Sequence, residues 1–501
     1  MTTSEHMNLS PGIRENFLRI LGHAYLVTCI GRAADLLFFL ALFTWFSTEE
    51  VSIYSLAFAA AALFNSLLDL GLGQTLVRGF GQGTVRLPQA VRAILLPRTP
   101  VILIGVVLLI SWKIWDAPPA DTFWTVALAG AIQLFLVVEW FCQAWLKAHH
   151  RQPLANTFAS IDSVGRLLIL LVLHHVSQPL VLTQLLFSII IMHIGLALLS
   201  CGTIANLHGQ THESTQSSLS SNAVMRQLFK SGLMFGLIGI ITVVQNRVDW
   251  ILVSAFSTAN DVANYALANK IYELLLMGLG VTMLTLYPRL CRQWDRRTET
   301  VVNLTVAGLF AAGVVCSLVA ALYGPDVLRW LWQDKYVSAT PLIRWLMPFA
   351  GLATAIMILY YQMAARGMEA TMLRISLFAT GIQLIVNFLA IPRFGAMGAV
   401  AGMATLVLLN VAFYVTVVNR IGLIDRALIQ QMAWFILCLW GLAWSLWLIP
   451  VPVVIGIAIL LGAGTFLGYG LLLTPEDRSS LQALVLSMTS RHSGVGPEVH
   501  P

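Results

Sequence analysis

Charge is scarce in this chain. Only 10% of its 501 residues are Asp, Glu, Lys or Arg, against about 25% in a typical soluble domain. Apolar residues make up 58%, and the mean hydropathy is +0.80. These figures exclude a soluble multidomain protein. They equally exclude a disordered chain, which needs low hydrophobicity and high charge. Cysteine is sparse too: Cys29, Cys142, Cys201, Cys291, Cys316 and Cys438 are scattered, with no C-x-x-C pair. Neither a disulfide framework nor a thiolate metal site is expected. Long polar stretches are missing, which leaves no room for a folded extramembrane domain, and no G-x-x-x-x-G-K-[ST] phosphate loop occurs. No cleavable signal is expected either, because the apolar run after the polar first 15 residues is too long and carries Arg32 and Asp35.

What is present is the pattern of an all-α polytopic membrane protein. A spanning helix needs about 20 mostly apolar residues. Fourteen stretches qualify, from 17–46 and 51–77 through 262–288 and 300–322 to 451–473. The longest outer loop is expected at 323–340. Lys and Arg set orientation. Twenty of the 29 fall in every second loop, counted from the N-terminus, and only Lys113, Arg329, Lys335 and Arg393 fall in the others. Both termini are therefore expected in the cytoplasm. The net charge of +6 is a topology signal, so no nucleic-acid partner is expected.

The helices repeat. Arg32 and Asp35, Phe46-Ser47-Thr48, Glu49-Glu50 and Tyr54 in the first half find counterparts in Arg247 and Asp249, Phe256-Ser257-Thr258, Asn260-Asp261 and Tyr265. Gln143-x-x-Leu146-Lys147-Ala148 matches Gln362-x-x-Ala365-Arg366-Gly367. Six helices is an even number, so the two sets share one orientation and form a parallel repeat. The expected organisation is a six-helix lobe at 1–205, a polar linker at 206–226 and a second six-helix lobe at 227–420. An appended two-helix hairpin at 421–475 and a cytoplasmic tail at 476–501 follow.

The stretch from Tyr54-Ser-Leu-Ala through Leu68-Asp69-Leu-Gly71-Leu-Gly73-Gln74 to Arg78 carries a family likeness. So do Arg247-Val-Asp249 to Tyr265, Gln362-Met-Ala-Ala-Arg-Gly367, and Ile391-Pro392-Arg-Phe-Gly395-Ala-Met-Gly398. Over most of residues 15–420 the chain resembles the oligosaccharide-lipid flippases, the Wzx branch of the multidrug/oligosaccharidyl-lipid/polysaccharide (MOP) exporter superfamily. The resemblance implies two lobes about a central cavity, alternating access, and a bacterial inner-membrane location. It also implies a substrate, an undecaprenyl-diphosphate-linked oligosaccharide moved for exopolysaccharide, capsule or O-antigen assembly. A transporter of this kind is not an enzyme. Membrane lipids, a polysaccharide polymerase and chain-length machinery would be its partners. It needs no cofactor beyond a coupling ion, sodium or proton. The alternatives are a multidrug or lipid II exporter of the same superfamily, or, in another class, a membrane polysaccharide polymerase or ligase.

A charge at mid-bilayer costs about 2.5–3.5 kcal/mol on insertion scales, so each one in a span requires an account. The basic candidates are Arg32, Arg166, Arg247, Lys270 and Arg344. The acidic ones are Asp35, Asp69, Glu139, Asp162, Asp249 and Glu273. Arg32/Asp35, Lys270/Glu273 and Asp162/Arg166 are three or four apart and share a helix face. Arg247 and Asp249 point about 160° apart and cannot satisfy one another. A lipid diphosphate needs cations, and a guanidinium forks onto phosphate. Arg247, Arg32 and Lys270 are therefore the expected substrate ligands. Asp35, Asp249, Glu273 and Asp69 are the expected coupling or gating acids. Arg344 is expected to snorkel to the interface, and no catalytic residue or metal-ligand set is expected.

Overall fold

A backbone in lipid finds no water to bond, so every span must close its own hydrogen bonds as a helix. The computed structural model describes residues 11–69, 76, 80, 87–149, 151–177, 179–208, 221–290, 296–421, 426–448, 452–473, 478 and 479. Of these, 11–25, 89, 93–97, 208, 221–232, 234, 235, 278–290, 296–306, 365 and 426–429 are described by their backbone alone. Gln74, most of the expected linker and the tail beyond 479 lie outside the described residues.

Among the described residues are fourteen α-helices and no strand. The first six are α1 (Pro11–Trp45), α2 (Thr48–Asp69), α3 (Leu87–Trp115), α4 (Ala120–Ala148), α5 (Gln152–Val176) and α6 (Leu182–His208). The next six are α7 (Ser221–Phe256), α8 (Ala259–Leu290), α9 (Arg296–Trp332), α10 (Ala339–Ala365), α11 (Glu369–Phe394) and α12 (Ala396–Arg420). Then come α13 (Arg426–Leu448) and α14 (Val453–Leu467), which ends in a π-helical turn at Gly468–Leu472. Thirteen are long and apolar enough to cross a membrane. The other is α8, whose described side chains stop at Met277 and include Asp261, Lys270 and Glu273.

The chain packs as two compact units, Met1–Ala263 and Asn264–Pro501. In the first, α1 lies along α5, α4 along α6, and α2 along both α4 and α7. In the second, α9 lies along α10, α10 and α11 both lie along α12, and α14 docks on α9. Association in lipid rests on close packing rather than on water exclusion, which favours small residues. Ala57, Ala61 and Ala129 make such a contact between α2 and α4.

Local chemistry repeats where the sequence repeats. Ser47 and Glu50 form a capping box at the start of α2. The Ser47 backbone N–H donates to Glu50 Oε2 at 2.9 Å, and the Glu50 N–H donates to Ser47 Oγ at 3.2 Å. Thr258 and Asp261 make the same reciprocal pair at the start of α8, both at 3.2 Å. Each satisfies two donors that a helix start leaves open. The Gln143 and Gln362 motifs both end a helix, at Ala148 and Ala365, and new helices start at Gln152 and Glu369.

The loop expected at 323–340 is shorter than the sequence indicates. Hydropathy drops at Tyr323-Gly-Pro-Asp326, yet α9 runs through Pro325 to Trp332, leaving only 333–338 as a connection. Two anchors hold the extension: Leu328 and Trp332 are buried one turn apart, while Trp330 between them is exposed. Tyr336 closes the turn edge-on to Trp332 at 5.6 Å, and burial pushes its phenol above the usual range.

Between α11 and α12 the chain reverses at Gly395, φ 57° and ψ −134°, a conformation open to glycine and strained for other residues. One turn on, a Cβ at Gly398 would fall 2.5 Å from the backbone of Ala390 and Ile391. Gly398→Leu should therefore force α11 and α12 apart, at a cost of about 1–3 kcal/mol or more. Membrane abundance by immunoblot should fall. Gly381→Leu, on the same hairpin but facing open space, should leave it normal. Equal abundance of the two variants would contradict this packing.

Candidate functional site

The first unit holds a chain of ionisable side chains inside its spans. It starts from the register of α1 on α5. Asn156 Nδ2 donates to Thr28 Oγ1 at 3.3 Å, and Ser160 Oγ donates to the Val27 carbonyl at 2.7 Å. Gly31 lies directly against Ser160. The two helices thus run parallel, four residues on one matching four on the other. The next step brings Asp35 to Arg166, whose Nη2 donates to Asp35 Oδ1 at 3.0 Å.

Arg166 Nη2 also donates to Asp162 Oδ2 at 3.0 Å, and its guanidinium lies 5.9 Å from the Phe38 ring centre. Asp162 Oδ1 is buried without a hydrogen bond, 3.5 Å from His193 Nε2 on α6. His193 Nδ1 meets Glu139 Oε1 of α4 at 2.7 Å. At the other end, Arg32 Nη1 reaches Asp35 Oδ2 at 3.4 Å. Tyr54 of α2, itself buried, lies within electrostatic reach of Arg166, Asp35 and Asp162. The two ends differ in burial: the Arg32 side chain is 49% exposed and that of His193 2%. One end opens outward and the other is sealed.

Three carboxylates (Asp35, Asp162, Glu139) thus face two guanidinia (Arg32, Arg166) and one imidazole. An uncompensated buried charge costs several kcal/mol, so each member depends on the others.

The same-helix pairs expected from spacing all form: Arg32/Asp35, Asp162/Arg166, and Lys270/Glu273 at 2.7 Å in the second unit. Spacing did not reveal the bond from Asp35 to Arg166, which depends on helix register. It also missed His193, although an ionisable residue within an apolar run is itself a signal. Arg247 is half-buried, with its guanidinium 5.1 Å from the Trp250 ring centre. Asp249 is buried, and its Oδ1 accepts the Trp250 N–H at 2.9 Å. Asp69 lies 3.9 Å from Arg98 of α3, whose Nε donates to the Leu68 carbonyl at 2.7 Å. Asp69 and Arg98 thus close the end of α2. Cys142 and Cys201, far apart in sequence, bring their sulfurs to 3.8 Å. Among the described residues no group of three His, Cys, Asp or Glu side chains could hold a metal ion.

The pattern of a family described as polysaccharide biosynthesis protein matches residues 21–294, more than half of the chain. The chain belongs to this family. The match spans the whole charge network and Arg247. None of the curated proteins compared with the chain matches it. Among solved structures the chain is similar to the lipid II flippase MurJ in an inward closed conformation. That match has a TM-score of 0.68 at 10% identity, covering 90% of this chain and 98% of that one. It is also similar to an inward-facing multidrug resistance MATE transporter of the MOP superfamily, at 0.57 and 12%, covering 79% and 94%. A MOP superfamily transporter from Pyrococcus furiosus matches at 0.55 and 11%, covering 79% and 93%. At such identities the likeness is one of fold. With the family match, it bears out the resemblance to the Wzx branch of the MOP superfamily. The chain is a multi-pass membrane protein of a polysaccharide biosynthesis family with a transporter fold.

Proposed function

We propose that this protein is a flippase for an undecaprenyl-diphosphate-linked oligosaccharide, working by alternating access between lobes 1–205 and 227–420. It would act in the bacterial inner membrane, with both termini cytoplasmic. The product would serve exopolysaccharide, capsule or O-antigen assembly, with a polymerase and chain-length machinery downstream. The observation that supports this reading most is the state of Arg32. Its partner Asp35 is already held by Arg166 at 3.0 Å, closer than Arg32 itself at 3.4 Å. Arg32 is thus a half-exposed guanidinium with donors to spare, suited to a diphosphate. Arg247, packed against Trp250, is the second guanidinium of this reading. Lys270 belongs to the second unit, where Glu273 holds it.

Depleting the protein should make a lipid-linked oligosaccharide accumulate with its sugar facing the cytoplasm while exported polysaccharide disappears. Accumulation of lipid II instead would identify a lipid II exporter, which handles the same diphosphate. If no lipid-linked sugar accumulates, the reading fails.

A further inference from the structure

The second unit contains a cavity unrelated to the charge network. It has a volume of about 350 Å³ and lies between α9, α10 and α13. Its walls are apolar, built from Leu318, Leu322, Phe349 and Trp440, and Trp444 and Trp447 stand half-exposed at its edge. Two polar groups break that lining, both on the first two turns of α10. Thr340 is 8% exposed, and its Oγ1 is buried with no hydrogen-bond partner. Arg344 Nε is likewise buried with no partner. The Arg344 guanidinium also lies 5.9 Å from the Trp447 ring centre.

Buried donors of this kind are costly to leave open, by about 1–3 kcal/mol each, and more where charge is involved. Within bilayer depth, two of them on one wall call for an acceptor from outside the chain. The acceptor must be anionic to suit a guanidinium, and it must bring an apolar body to cover the leucine and tryptophan walls. The positive end of the α10 dipole adds to the attraction for an anion, and tryptophans at the rim are typical of lipid headgroup depth.

We propose that this cavity binds an anionic membrane phospholipid. The lipid phosphate would accept hydrogen bonds from Arg344 Nε and Thr340 Oγ1, and the upper part of one acyl chain would lie between α9 and α13. A free phosphate would satisfy the donors but leave the walls uncovered. An uncharged lipid would do the reverse.

The test uses the full chain purified in detergent, with phosphatidylglycerol or phosphatidylcholine added back. Native mass spectrometry should show phosphatidylglycerol retained, and its addition should raise the melting temperature more than phosphatidylcholine does. Arg344→Gln should weaken retention roughly tenfold or more, the loss of one charge-assisted hydrogen bond. Thr340→Val, nearly the same in shape, should weaken it less, and Arg344→Lys should keep part of it. Equal stabilisation by both lipids would overturn the proposal. So would retention unchanged in both Arg344→Gln and Thr340→Val, and so would inorganic phosphate alone giving the full shift. A polyprenyl diphosphate found in place of phospholipid would assign the cavity to the transported lipid and would equally overturn it.

Discussion

Arg247→Ala should abolish polysaccharide export while membrane abundance stays normal. The side chain is half-buried in α7, and its guanidinium packs 5.1 Å from the Trp250 ring centre. A cation over an indole face gains about 0.5–2 kcal/mol, which helps hold the guanidinium in one orientation. The neighbouring carboxylate, Asp249, is turned to its own backbone through the Trp250 N–H. Losing a forked, charge-assisted contact to a diphosphate costs about 1.5–3 kcal/mol per hydrogen bond, roughly a hundredfold in affinity for the pair. Arg247→Lys should retain part of the activity, because the charge survives although the fork is lost. The measurements are export in a complementation assay and abundance by immunoblot. A purely structural ion pair would instead lower abundance, and removing the partner acid would restore it. Near-normal export by Arg247→Ala would remove this residue from the substrate site.

Arg166→Ala should do the opposite and deplete the protein itself. Arg166 is the hinge of the network, donating to Asp35 and Asp162 at 3.0 Å each. Without it, Asp35 keeps only the longer contact to Arg32, and Asp162 keeps only His193 at 3.5 Å. Removing one member of a buried pair costs about 3–5 kcal/mol, because the remaining charge stays buried. That is a large fraction of the 5–15 kcal/mol by which proteins are typically stable. Replacing the charged set by neutral groups of similar shape should undo most of the damage, so Arg166→Met with Asp35→Asn and Asp162→Asn should restore abundance. Export should not return with it, because Asp35→Asn removes the carboxylate that orients Arg32. If Arg166→Ala melts at the temperature of the parent protein, the bonds to Asp35 and Asp162 contribute little to the fold.

The helices could be read in the sequence because the bilayer imposes one rule along the whole chain: runs of about 20 apolar residues must coil. The capping boxes at Ser47 and Thr258 were visible as repeated letters before they were visible as hydrogen bonds. Short-range pairs such as Asp162/Arg166 were legible because helical spacing is local geometry. The bond between Asp35 and Arg166 was not, since it depends on Ser160 and Gly31 setting how α1 slides along α5. His193 escaped notice because a single histidine is easily passed over in an apolar run, and its contact with Glu139 at 2.7 Å joins residues 54 positions apart. The extension of α9 past Pro325 escaped for a related reason. Its anchors Leu328 and Trp332 alternate with Asp326, Arg329 and Trp330, so average hydropathy falls while one face stays buried.

The register between α1 and α5 has a mechanical meaning. To slide by one turn, the pair would have to break the Thr28–Asn156 and Val27–Ser160 bonds, lift Gly31 off Ser160 and part Asp35 from Arg166, all at once. Four fastenings along a single seam make the two helices one strut. A strut transmits force without changing length, so in the alternating access proposed above α1 and α5 would move together. The acids and guanidinia they bear then keep their mutual distances throughout the cycle. Arg32, at the open end, is the member left free to exchange what it binds.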